Sequence, residues 1–498
     1  MKETIVLKEE IKNLFSSGDP FSIAENLEGE IFRKTANRIT KEFTFEGNRY
    51  FVKLHYGVGW KEIIKNILKF RAPTIGASPE WKALEKLRSL KIECPKPVGF
   101  YSSGINPANL KSFLITKSLI DTISLEEALK KGKFQKLDFC TKKAFIEKVA
   151  NISQNLHNSG INHRDYYLCH FHVDKNLDVK KNIYLIDLHR AQLRSFVPFR
   201  WASKDIGGLI HSAMGFDLSE KDFYRFMRTY LQCSTKEAFQ VHSRFLETSK
   251  NRAFRMFMKP ILREIDISLP QELRNSSDYL GGNNNNMRWV SRREYLQKGL
   301  DELIPKIDIY MDQGEIIKNE EGHKIVKLSI KDQNFVIKKY QIKGSWHFLR
   351  KLFSQTRANT AWKAYHWFNA AEIKTFSIVA VIERYNYLSS TESYLISLFQ
   401  PGERLDKVSL NKQHAYLIES RLSSFFKRLK WIGFNHGDVK SSNFFLFNKE
   451  LFVFDLDISK RRLLKFRQKN KIIKDQLRIL RSFEENKKIT HALKRRFN

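Results

Sequence analysis

The sequence predicts an α+β protein made of two tandem bilobal domains, each pairing a small antiparallel β lobe with a larger, mainly helical lobe. Three observations carry this. The chain repeats itself: Gly29 to Lys53 (GEIFRKTANRITKEFTFEGNRYFVK) aligns without gaps on Gly314 to Lys338 (GEIIKNEEGHKIVKLSIKDQNFVIK). PEWKA at Pro79, SFLIT at Ser112 and SGINHRD at Ser159 then recur in the same order as TAWKA at Thr360, SYLIS at Ser393 and IGFNHGD at Ile432. Two copies of roughly 200 residues each have the size of domains, not of solenoid repeats. Second, polar and apolar residues alternate in both segments around turn-like breaks at Glu46-Gly47-Asn48 and Lys331-Asp332-Gln333, the pattern of hairpin strands. Third, each copy carries an apolar helical stripe ahead of a His-x-Asp motif, ended by Gly160 or Gly433.

The elements follow in chain order. The opening MKETIVLKEEIKNLF has no continuous apolar stretch of signal-peptide type, so the expected location is cytoplasmic. The repeated strands end in Lys53 and Lys338, and a helix is expected around Trp81 and around Trp362. The later helices show Phe145, Ile146, Val149, Ile152 and Leu156 in one copy and Leu417, Ile418, Leu422, Phe425 and Leu429 in the other. Phe376 to Ile382 reads as a strand. Asn275 to Met287 (NSSDYLGGNNNNM) has no apolar period and a connector's composition. The expected layout is therefore a first domain at 1–270, an Asn/Gly-rich linker at 271–300 and a second domain at 301–498 with basic C-terminal helices.

Composition narrows the classes. Of 498 residues, 88 Lys+Arg against 54 Asp+Glu leave a net charge of +34, which favours anionic partners, while 42% hydrophobic residues exclude a disordered polycation. No apolar run approaches the roughly 20 residues of a spanning helix. The cysteines Cys94, Cys140, Cys169 and Cys233 stand far apart without a CxxC, against a disulfide framework or a zinc site.

After each helix stop comes the same polar set. It is Asp165, then His170 and Asp187 in the first copy, and Asp438, then Asn443 and Asp455 in the second. Asp187 ends the apolar strand YLID and Asp455 ends FVFD, which returns each acid to the loop. A loop carboxylate, a strand-end acid for a divalent cation, a His or Asn beside it and an upstream lysine meet the needs of phosphoryl transfer, which depends on positioning and charge neutralisation. Taken singly, each has a plain alternative: the loop acids as turn caps, the lysines as exposed strand ends.

The run GINHRDYYLCHFHVD, with YLIDLHRAQLRSFVPFRWASKDIGGL, resembles the lipopolysaccharide core heptose kinases of the protein-kinase-like superfamily over nearly all of the first copy. NHGDVKSSNFF and FVFDLD are similar to the same broad group and, more loosely, to aminoglycoside and choline phosphotransferases. The resemblance implies Asp165 and Asp438 as catalytic carboxylates, Lys53 and Lys338 on the ATP phosphates, and His170 with Asp187, and Asn443 with Asp455, on Mg2+. It also implies Lys440 as a cation on the transferring phosphate, where the first copy has Tyr167. The helix acid that orients the lysine corresponds to Glu80, with Glu85 as the alternative; the second copy has Ala361 and His366 there, which leaves Lys338 without that partner. Asp205 and Asp475 resemble the buried aspartate that braces the catalytic loop.

The function expected is an ATP- and Mg2+-dependent kinase of heptose hydroxyls in the lipopolysaccharide inner core, the second domain being a further core kinase or a pseudokinase. The alternatives are a kinase of a protein or small soluble acceptor, and a non-catalytic polyanion binder. The expected partner is lipopolysaccharide core or its lipid-linked precursor, with no nucleic acid. The stretch from Lys460 to Asn498 carries 15 Lys+Arg against 3 Asp+Glu among Leu463, Leu464, Phe466, Ile472, Ile473, Leu477, Ile479 and Leu480. It reads either as a basic amphipathic surface for peripheral contact with the anionic inner-membrane leaflet or, through Asp475, as lobe core.

Overall fold

The computed structural model describes residues 3–68, 75–216, 218–284, 286–320, 322–341, 355–386, 389–408, 412–462, 465–484 and 487–497. The chain divides into two compact units, Met1–Met256 and Phe257–Asn498.

In the first unit, β1 (Glu3–Leu7), β2 (Glu30–Thr35), β3 (Arg38–Phe45), β4 (Asn48–His55), β5 (Pro97–Ser103) and β6 (Lys111–Lys117) form one antiparallel sheet in the order β1-β5-β6-β4-β3-β2. Alternation does the sorting. Val52 and Leu54 of β4 join Phe113 and Ile115 of β6 in a core closed by Phe21 and Ala24, so Lys53 between them faces the other way. Its register partner Leu114 belongs to a second core, with Leu84 and Leu87 of helix α1 (Ser78–Ser89) and the helical lobe. That lobe is built on α2 (Phe139–Asn158), α3 (Phe199–Ala213) and α4 (Glu220–Leu231). The Asp138 carboxylate caps α2 by accepting from Thr141 N at 3.0 Å. Phe145, Val149 and Leu156 of its stripe are buried, and Ile146 and Ile152 pack against the same core. Gly160 (φ +77°) ends it, where a Cβ would meet the Arg194 carbonyl oxygen at 1.9 Å.

The second unit repeats the plan with one added edge strand. Strands β7 (Tyr279–Asn284), β8 (Met287–Arg292), β9 (Glu315–Glu320), β10 (His323–Ile330), β11 (Gln333–Gln341), β12 (Ile378–Asn386) and β13 (Ser389–Leu398) lie in the order β7-β8-β12-β13-β11-β10-β9. Lys338 on β11 faces Ile325 and Leu395. Helix α5 (Arg357–Ala370) carries the buried Trp362, α6 (Lys412–Ile432) buries Ile418, Leu422, Phe425 and Leu429, and α7 (Lys465–Arg481) and α8 (Lys487–Phe497) follow.

Three expectations change here. Lys53 and Lys338, read as strand ends, lie inside β4 and β11, whose pairing runs on to His55 and Gln341. The stretch 271–300, read as a linker, contains the β7–β8 hairpin, which pairs with β12. Its glycines are packing positions: a Cβ on Gly281 would lie 2.8 Å from Arg274 Cβ, and one on Gly282 2.4 Å from the Trp289 ring. Arg274 is fully buried there, donating to the Trp289 carbonyl at 2.9 Å and to Asn283 Oδ1 at 2.6 Å. The basic C-terminal stretch splits by face. Gln468, Ile472, Asp475 and Ile479 of α7 are buried as lobe core, whereas Phe466, Ile473 and Leu477 are exposed among lysines and arginines; Leu463 and Leu464 lie outside the described residues.

Candidate active site

Each unit braces its loop from below. In the first, the buried Asp205 of α3 accepts from His163 N at 2.6 Å and Arg164 N at 3.0 Å. In the second, Asp475 of α7 accepts from His436 N at 3.0 Å and Gly437 N at 3.1 Å. His163 and His436 donate from Nε2 to the carbonyls of Ile186 and Phe454, both at 3.0 Å, which ties loop to strand end. Burial holds both imidazoles below the usual histidine range. Asp187 (φ 59°) and Asp455 (φ 62°) then turn left-handed, a conformation aspartate tolerates.

In the first unit the predicted residues converge. Lys53 Nζ lies 2.5 Å from Glu80 Oε1 and 3.4 Å from Asp187 Oδ1, so Glu80 rather than Glu85 reaches the lysine. Burial disfavours the Lys53 ammonium, but the two carboxylates outweigh it and hold its pKa above the usual value. Burial likewise opposes the Asp187 carboxylate; the bond from His189 Nδ1 at 2.7 Å and the charge of Lys53 prevail and hold Asp187 far below the usual carboxylate range. His170 Nδ1 lies 2.6 Å from the Asp165 carbonyl oxygen. A carbonyl only accepts, so Nδ1 carries a proton, and Nε2, which offers a lone pair whenever the ring is neutral, stands 3.6 Å from Asp187 Oδ2. Two acceptors facing each other fit a cation between them. Arg190, three residues after Asp187, grips both oxygens of Asp165 at 2.8 and 3.0 Å.

The second unit reproduces this with different side chains. Asn443 Nδ2 donates to the Asp438 carbonyl at 2.8 Å and to Asp438 Oδ2 at 3.0 Å, leaving its amide oxygen to accept, as His170 leaves Nε2. Lys440 Nζ lies 3.1 Å from Asp438 Oδ2 and Arg478 3.6 Å from Oδ1. Lys338 is bonded to Asp455, whose pKa burial would raise but the lysine lowers. Lys338 has no acid at the helix positions, Ala361 and His366, but a loop carboxylate reaches it: Asp457 Oδ2 stands 3.5 Å away, and Arg357 of α5 holds that carboxylate at 2.6 Å. A cavity of about 590 Å³ opens here, lined by Ile325, Val336, Lys338, Leu398, Phe445 and Asp455.

Sequence reasoning missed Arg190, His189 and Asp457, although all three lie within three residues of a strand-end aspartate it singled out. Arg357 and Arg478 carried no such signal, because their partners are distant in sequence. Among the described residues no group of three or more His, Cys, Asp or Glu side chains gathers as a metal cage. Each unit instead offers a pair, which fits Mg2+, an ion that keeps waters and takes phosphate oxygens as further ligands.

Comparison with known proteins agrees with the duplication. The model of the lipopolysaccharide kinase (Kdo/WaaP) family matches residues 24–230 and again 308–498. A lipopolysaccharide core heptose(I) kinase WaaP of Escherichia coli is 38% identical over 264 residues, 52% of this chain and 100% of that protein. The WaaP of Pseudomonas aeruginosa is 35% identical over 51% of this chain and 96% of its own length. A solved structure described as WaaP in complex with acyl carrier protein is 30% identical, covering 51% of this chain and 99% of that one, with a TM-score of 0.45. With both matched segments together spanning most of its length, the chain belongs to the lipopolysaccharide kinase (Kdo/WaaP) family.

Proposed function

We propose that the chain transfers phosphate from Mg2+-bound ATP to heptose hydroxyls of the lipopolysaccharide inner core, through a heptose kinase domain within 1–270 and a further core kinase domain within 301–498. The observation that carries it is the 38% identity over the whole length of a heptose(I) kinase. Bound Mg–ATP supplies the activated phosphoryl group; the protein positions it and balances its charge. Lys53, tethered by Glu80, meets the phosphates, and His170 and Asp187 would hold the cation. Asp165, oriented by Arg190, accepts a hydrogen bond from the acceptor hydroxyl and aims its oxygen. In the second unit Lys338 takes the part of Lys53, Asn443 and Asp455 those of His170 and Asp187, and Asp438 that of Asp165, with Lys440 beside the transferring phosphate.

The net charge of +34 suits a polyanionic acceptor. The exposed face of α7 with Phe466, Ile473 and Leu477 suits peripheral contact with the anionic inner leaflet, where a lipid-linked acceptor is presented. No helix among the described residues is long and apolar enough to cross a membrane.

The test is phosphate transfer from Mg–ATP to dephosphorylated lipopolysaccharide core by wild type, Asp165→Ala, Asp438→Ala and the double variant, with product sites mapped by mass spectrometry. Wild type is expected to phosphorylate a core heptose. Asp165→Ala should lower that rate by about 100-fold or more, and Asp438→Ala should remove a second phosphate. If folded, ATP-binding wild type leaves the core unmodified, the acceptor assignment fails and a soluble acceptor takes its place.

A further inference from the structure

The second unit lacks the helix acid yet keeps the electrostatics that acid provides. In the first unit Lys53 sits between two carboxylates, Glu80 on α1 and Asp187 at the strand end. At the position of Glu80 the second unit has Ala361, and at the position of His189 it has Asp457. Lys338 therefore again sits between two carboxylates, Asp455 and Asp457. The second acid has moved from the helix to the strand-end loop.

The helix is still tied in. Asp457 is 4% exposed and would be costly to hold ionised without compensation. Lys338 provides one counter-charge at 3.5 Å, and Arg357, in the first turn of α5, provides the other at 2.6 Å. The Arg357 guanidinium and the Lys338 ammonium each lie 5.0 Å from the centre of the Tyr340 ring, so both cations gain a contact there as well as with Asp457. A Lys338–Asp457–Arg357 chain thus links β11, the strand-end loop and α5, the same three elements that Asp187, Lys53 and Glu80 link in the first unit. The substitutions are complementary: an acid lost from the helix, an acid gained two residues after Asp455, and a helix cation to hold it.

We infer that Asp457, clamped by Arg357, is the positioning residue that replaces the helix glutamate, and that the cavity beside Lys338 is a working nucleoside triphosphate site. The inference rests on the kinase reading and extends it by naming how Lys338 is held.

The experiment uses the full chain carrying Lys53→Met, which blanks the first cleft, titrated with a fluorescent N-methylanthraniloyl ATP in the presence of Mg2+. One saturable site per chain should remain and should disappear when Lys338→Met is added. In the Lys53→Met background, Asp457→Asn and Arg357→Ala should each weaken that site by about tenfold or more. Asp457→Glu and Arg357→Lys should stay within about threefold of the parent, and thermal melts of these charge-conserving variants should match it. Loss of all nucleotide binding in Lys53→Met alone overturns the kinase reading of the second unit together with the inference. A retained, Lys338-dependent site that is indifferent to Asp457→Asn and Arg357→Ala overturns the inference and leaves that reading standing. If Asp457→Asn unfolds the unit, the Arg357→Ala titration decides the matter by the same criterion.

Discussion

Histidine and asparagine stand at the same place five residues after the loop aspartate, and both solve one hydrogen-bonding problem. The backbone carbonyl of Asp165 or Asp438 accepts a hydrogen bond from the near nitrogen, 2.6 Å away for His170 and 2.8 Å for Asn443, which orients the far end of the side chain, Nε2 or the amide oxygen. The expected outcome is that His170→Asn retains heptose kinase activity within about tenfold of wild type, while His170→Ala loses about 100-fold. Initial rates as a function of Mg2+ concentration will check this, and equal losses in the two variants would refute it. His170 and Asn443 were legible in the sequence because a repeated spacing exposes them. Arg190 and Asp457 were not, since charge pairing across a fold leaves no period; only the grip of Arg190 on Asp165 and the 3.5 Å approach of Asp457 to Lys338 reveal them.

Among the elements, the helix stops show how equivalent positions differ in cost. Gly160 and Gly433 both adopt a left-handed conformation after α2 and α6, at φ +77° and +81°. A Cβ on Gly160 would stand 1.9 Å from the Arg194 carbonyl oxygen, whereas at Gly433 the nearest atom, the Arg462 carbonyl oxygen, is 3.5 Å away, although each glycine carbonyl accepts from the facing arginine N, at 2.8 and 2.7 Å. Gly433→Ala should therefore cost about 1 kcal/mol, the conformational penalty alone, and Gly160→Ala well over about 2 kcal/mol. Chemical denaturation of each variant, with limited proteolysis to assign the transition to a unit, measures the difference. The helices, their stripes and their ends were readable because periodicity and glycine are local signals. The β7–β8 hairpin was not: Gly281 and Gly282 look like connector residues until Arg274 and Trp289 are seen packed against them.

For the whole molecule, the proposed membrane contact would draw its long-range attraction from the net charge of +34 and its short-range contact from the exposed apolar residues of α7. Sedimentation with vesicles of anionic phospholipid should fall steeply between about 0.05 M and about 0.5 M NaCl. Ile473→Ser with Leu477→Ser should weaken it at either salt, and binding indifferent to both changes would remove α7 from the proposed membrane face. The sequence by itself determined the duplication, the α+β class of each copy, the strands that carry the two lysines, and the loop acids, because these are carried by repeat, alternation and fixed spacing. Only the tertiary structure decided which acid reaches each lysine, that residues 279–292 are sheet, and that one face of a basic helix is lobe core. Those outcomes depend on which distant side chains share a buried space, where an unpaired charge is costly and a neighbouring one compensates it.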